Sequence, residues 1–162
     1  MNDLVIFTVL FLLIVFFESI FHAIGFFSLA AVFCLLLYDH RAGVRAVVFI
    51  ALLSLVIDSF YFNLLGTFYI SIIVAILVHQ LMKKLLPYDN LIIRPLTLIL
   101  CFSVFQALLH LISVTWGQGT SVGLDPMFVA IMSVLQTLVY SVVHFIKNSF
   151  YNRTESLGGF KV

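Results

Sequence analysis

The stretch AVVFIALLSLVIDSFYFNLLGTFYISIIVAILVHQLMKK, Ala46 to Lys84, decides the fold. It holds two apolar runs, 46–62 and 67–82, joined by a nearly uncharged turn from Asn63 to Gly66. The first run is entered from the basic turn DHRAGVR (Asp39 to Arg45), and the second closes on Lys83 and Lys84. A bilayer core about 30 Å thick takes about 20 apolar residues as a helix. The stretch therefore reads as an out-and-back transmembrane hairpin whose two basic ends lie on one side.

The rest of the chain continues the pattern. Of its 162 residues, 64% are hydrophobic and 9% charged, too few charges to coat a soluble globule of this size. The apolar runs predict an all-α, polytopic membrane protein, a single domain over 1–162 with six transmembrane helices. The spans fall at roughly 4–20, 24–38, 46–62, 67–82, 96–115 and 127–146, with a polar tail over 147–162. Pro87 and Pro95 are read as breakers in the connector LLPYDNLIIRP. The N-terminus lacks the basic region and cleavage site of a signal peptide, so the first run is expected to remain as a helix. A soluble enzyme, a nucleic-acid-binding module and a disulfide scaffold are excluded, and the net charge of +1 indicates no polyionic partner. Cys34 and Cys101 sit inside apolar runs with no metal-ligand spacing.

Charge placement sets the orientation. Arg41 and Arg45 fall between spans two and three, Lys83, Lys84 and Arg94 between four and five, and Lys147, Arg153 and Lys161 in the tail. With six spans all eight basic residues share one side. The positive-inside rule makes that side, and both termini, cytoplasmic. Arg41, Arg45, Lys83 and Lys84 are the candidates for cytoplasmic contacts, with anionic lipid headgroups or with a partner.

Ionisable groups at membrane depth are expensive, and each is a functional candidate. Asp58 ends a mostly small-residue stripe of Gly43, Val47, Ala51 and Ser54. It reads either as an ion, proton or ligand contact or as a structural carboxylate bonded to a neighbouring helix or loop. Glu18 and His22, one helical turn apart, are expected near the outer surface at the level of Asp58 and Asn63. There they line a shallow cavity or simply meet interfacial water; one His and two acids are too few for a metal site. Polar stripes run along span four (Thr67, Ser71, Ala75, His79), span five (Ser103, Gln106, His110, Ser113) and span six (Ser133, Gln136, Thr137, Tyr140, His144). They read as helix–helix contacts, or as a transport path through Gln106, His110 and Gln136. No nucleophile elbow, zincin or phosphate-loop motif is present, and no catalytic residue, cofactor or metal is assigned.

From Glu18 to Leu85 the order is a helix ending in Glu18, the run SLAAVFCLLLY, the basic turn, then ALLSLVIDSFYFNLLG and an apolar helix closing on lysines. Asp58 is followed seven and eight residues later by Leu65-Gly66. This resembles the MreD family, the small multi-spanning rod shape-determining proteins of bacteria, over about the first half of the chain. Ala51 stands where the family pattern has a glycine, and the second half agrees in length and hydropathy. The resemblance implies a non-catalytic scaffold in the bacterial inner membrane. Its implied partners are the bilayer, an MreC-like protein and the membrane proteins of cell-wall synthesis. Asp58 and Gly66 are the residues that match. Six helices with both ends inside also resemble the substrate-binding S components of energy-coupling-factor vitamin transporters, although the alanine motif of their first helix is absent. An ion-coupled transporter using Asp58 and His110 is the third expectation.

Overall fold

A computed structural model describes residues 12–20, 28–40, 43–61, 65–88, 90, 92–116 and 125–158. All secondary structure among them is helical: α1 over 12–20, α2 Leu29–His40, α3 Val44–Tyr61, α4 Thr67–Leu85, α5 Ile93–Trp116 and α6 Pro126–Gly158. Three stretches, Thr67–Leu85, Ile93–Thr115 and Pro126–Ile146, are long and apolar enough to cross a membrane. Leu29–Asp39 and Ala46–Phe60 are apolar but shorter.

The helix ends follow local chemistry and adjust several expected boundaries. Ser28 is not helical, so α2 does not run unbroken from 24. Its Oγ instead accepts the Ala31 N–H at 3.1 Å and caps a helix starting at Leu29. Pro95 does not break α5 but sits in its first turn, where a missing N–H costs no helical bond. Asn90 starts that helix, accepting the Ile92 N–H at 2.9 Å on its side-chain oxygen. Pro126 opens α6 at the position proline favours, behind Asp125, whose Oδ1 accepts the Met127 N–H at 3.0 Å. The polar tail expected after 146 continues α6 as helix as far as Gly158.

The helices α3, α4, α5 and α6 pack in succession, and α2 touches α3, α4 and α6. The core gathers Ala30, Ala31, Cys34 and Leu35 of α2 with Ile50, Leu53 and Ile57 of α3. Phe68 and Ile72 of α4, Phe102 and Phe105 of α5 and Tyr140 of α6 complete it. Small side chains on α2 let its neighbours approach closely. Phe68 and Phe105 meet edge to face at 5.3 Å, pinning α4 to α5. The opposite faces carry exposed leucine, valine and isoleucine, among them Leu52, Leu55, Leu77, Leu111, Leu138 and Val142. An apolar exterior around a core containing buried Ser, Thr, Gln and His is the distribution expected of helices in lipid.

Candidate functional site

Asp58 stands in the last turn of α3 and is fully buried. Its Oδ2 accepts the Gly66 N–H at 2.9 Å and its Oδ1 the Phe68 N–H at 2.8 Å. Those amides belong to the N-terminus of α4, whose own cap residue, Gly66, has no side chain to serve them. The carboxylate of the preceding helix takes that role, and the positive pole of α4 stabilises its charge. Gly66 holds φ at 98°, a left-handed conformation that L side chains rarely adopt. A Cβ there would meet nothing within 4 Å, so conformation and not space is what calls for glycine.

Glu18 repeats the arrangement on α2. It is 2% exposed, and its Oε2 accepts the Ala30 N–H at 2.8 Å. The neighbouring Ser28 carbonyl receives Gln136 Nε2 at 3.2 Å. Gln136 lies ten residues into α6, about 15 Å along that helix, so α2 starts inside the bundle, below the level where α6 starts. Glu18 is therefore not the interfacial residue expected from the sequence; it is a buried cap. Gln136 Oε1 is buried with no hydrogen-bond partner among the described residues.

A third carboxylate organises the opposite end of α2. Asp39 Oδ1 accepts from Lys83 Nζ of α4, and its Oδ2 accepts the Tyr140 hydroxyl of α6 at 2.7 Å. His79 Nε2 lies 3.7 Å from Oδ1 and 3.4 Å from the Tyr88 hydroxyl. Tyr88, in the connector after α4, carries Lys83 Nζ at 5.0 Å and the Arg94 guanidinium at 5.6 Å from its ring centre. Burial first, and then the Asp39 charge, pushes the Tyr88 hydroxyl up to about 12. Tyr140 stacks on His144 with rings 6° from parallel. One acid thus ties α2 to α4 and α6.

The sequence-predicted residues fall out unevenly. Asp58 and Gly66 are brought into direct contact, and Glu18 is placed on a different helix end. His22, Arg41 and Asn63 lie outside the described residues, as does the side chain of Arg45. Lys83 is committed to Asp39, whereas Lys84 is exposed. Gln106 is buried and His110 half-buried on α5. The α4 stripe is buried along its length: Thr67, Ser71, Ala75 and His79 are each at most 2% exposed. On α3 the stripe turns outward at Val47 and is buried only at Ser54 and Asp58.

Most hydroxyls expected to join helices return instead to their own backbone. Ser54, Ser71, Ser113, Ser133 and Thr137 each donate to the carbonyl four residues back. Two of the stripe hydroxyls do cross between helices among the described residues: Ser103 bonds Ser133 at 3.0 Å between α5 and α6, and the Tyr140 hydroxyl reaches Asp39 of α2. Sequence reasoning missed the Asp39 cluster, although one signal for it was available. An acid in the last turn of a helix opposes the negative helix pole, so it requires a donor from elsewhere. No group of three His, Cys, Asp or Glu side chains suited to a metal forms among the described residues. Comparison of the chain with protein-family models, with curated proteins and with solved structures found no match.

Proposed function

We propose that the protein is a non-catalytic scaffold subunit of the bacterial cell-elongation machinery, with six membrane spans in the inner membrane and both termini in the cytoplasm. The observation that carries this reading is the use made of its acids. Asp58, Glu18 and Asp39 each spend their oxygens holding helix ends together, an arrangement suited to a rigid platform. A carboxylate that shuttles an ion or grips a ligand must be released during its work, and here release would leave buried helix amides unpaired. The bonded pair Asp58 and Gly66 also coincides with the residues on which the resemblance to the MreD family rests.

Such a platform acts by packing lipid-facing helices against the spans of an MreC-like partner and of cell-wall synthesis proteins. The basic connectors support the contact from the cytoplasmic side. The test is co-purification from a rod-shaped bacterium together with depletion of the chain. Capture of an MreC-like protein and rounding of depleted cells are expected. Cells that stay rod-shaped, with no envelope protein recovered, would end the proposal.

A further inference from the structure

We infer that the connector between α4 and α5 is a docking site for an anionic phospholipid, with Lys84 and Arg94 as its headgroup contacts and Tyr88 as the post that orders it. The inference does not depend on the scaffold reading; it requires only that the chain sit in a bilayer.

Three observations converge on this one segment. First, it concentrates positive charge: Lys83, Lys84 and Arg94 stand against one acid in the same stretch, Asp89. Lys83 is held by Asp39, but among the described residues no acid is paired with Lys84 or Arg94. Second, one of the two headgroup cations, Arg94, is ordered. Tyr88 is half-buried against His79, its ring 5.3 Å away, and both Lys83 and Arg94 rest on the Tyr88 ring. A guanidinium fixed on an aromatic face keeps N–H donors in a set fork, the geometry that matches a phosphate. Third, apolar side chains lie exposed directly beside those charges: Leu85 at 67%, Leu86 at 41%, Ile92 at 69% and Leu96 at 59%. Charge beside exposed leucine and isoleucine at a helix end fits a molecule with a phosphate at one end and hydrocarbon at the other. A soluble acidic protein would satisfy the cations and leave the leucines wet.

Basic residues at a membrane surface contribute about 1 kcal/mol each toward anionic lipid. Neutralising Lys84 and Arg94 together should therefore weaken binding by more than about tenfold. The test uses the full chain purified in a neutral detergent. Phosphatidylglycerol, phosphatidylcholine, glycerol phosphate and a soluble polyglutamate are each added, and the unfolding temperature and the lipids retained in native mass spectrometry are read.

Phosphatidylglycerol alone should raise the unfolding temperature and remain bound. The Lys84→Gln/Arg94→Gln variant should lose that response while unfolding at the parent temperature in phosphatidylcholine. Tyr88→Leu should weaken the response with both cations still present. Should the double variant unfold early in neutral lipid, Lys84→Gln alone decides the matter, because that side chain is exposed. Equal responses to phosphatidylglycerol and phosphatidylcholine would overturn the inference. So would a response to glycerol phosphate or polyglutamate as large as that to the lipid, or a response unchanged in the variants.

Discussion

Replacing Asp58 by alanine removes the acceptor for two buried amides at once. The Gly66 and Phe68 N–H groups, at 2.9 and 2.8 Å from the carboxylate, would be left facing a void at the start of α4. An unsatisfied buried donor costs about 1–3 kcal/mol, while loss of a helix cap costs about 0.5–2 kcal/mol. Taking the overlap of the two, Asp58→Ala should destabilise the protein by about 3 kcal/mol. For a chain of this length that lowers the unfolding temperature by about 6–12 °C. Asp58→Asn keeps one acceptor oxygen and exchanges the other for a donor that faces an amide. Its cost should be near half, about 1.5 kcal/mol. The protein carries its own reporter, since Cys34 and Cys101 are both free and buried. A thiol-reactive fluorophore in detergent therefore reads unfolding directly. Asp58→Ala within 2 °C of the parent, or asparagine as damaging as alanine, would refute the capping argument.

Other expectations follow from the same geometry. Gly66→Ala should cost about 1–2 kcal/mol from its left-handed φ alone, and combined with Asp58→Ala it should fall short of the summed losses, because both act on one cap. Tyr140→Phe removes a hydroxyl bonded to a carboxylate and should cost about 1.5–3 kcal/mol; the same change in an Asp39→Asn background should cost clearly less, as a double-mutant cycle will show. Tyr88 binds its proton more tightly folded than unfolded, so its contribution is intact below about 10, the ordinary tyrosine value. It is lost as pH rises toward about 12, and Tyr88→Phe should flatten the fall in stability over that window.

The sequence was most informative where hydropathy and helix punctuation speak together. The hairpin from Ala46 to Lys84 gives an α4 that starts at Thr67, at its expected first residue, because Gly66 and the apolar run both mark that start. Asp58 as a partner of a neighbouring loop was also within reach, since a mid-run acid needs donors. What escaped were pairings across long separations. Asp39 and Tyr140 stand 101 residues apart, and nothing local in either helix encodes the other. Ser28 to Gln136 spans 108 residues, and the late start of a capped α2, at Leu29 and not 24, is tied to that contact as well as to Ser28 itself. Stripes predicted which faces turn inward on α4, but not that their hydroxyls bond to their own helix. Donor and acceptor four residues apart are always within reach, whereas a partner helix must be positioned first.

Glu18 and Asp58 turn out to be one device used twice. Each stands near the end of one helix and closes on the N-terminus of the next, at residues twelve and ten positions on. Asp125, by contrast, caps its own helix from the adjoining position, and it is exposed. The difference follows from the surroundings. Water can serve the first amides of an exposed helix, so a local acid suffices there. Inside an apolar bundle every amide must find a protein acceptor, and an ionised carboxylate offers two oxygens at once. Neither buried cap is in an ion pair among the described residues, and each faces the positive end of the aligned peptide dipoles of α2 or α4. A carboxylate held this way is bound to the folding of its hairpin. Neutralising it weakens the helix start, and withdrawing it exposes unpaired amides, so these two acids belong to the frame of the bundle. Any exchange with the surroundings is left to the connector ends, where Lys84 and Arg94 remain unpaired by acid among the described residues.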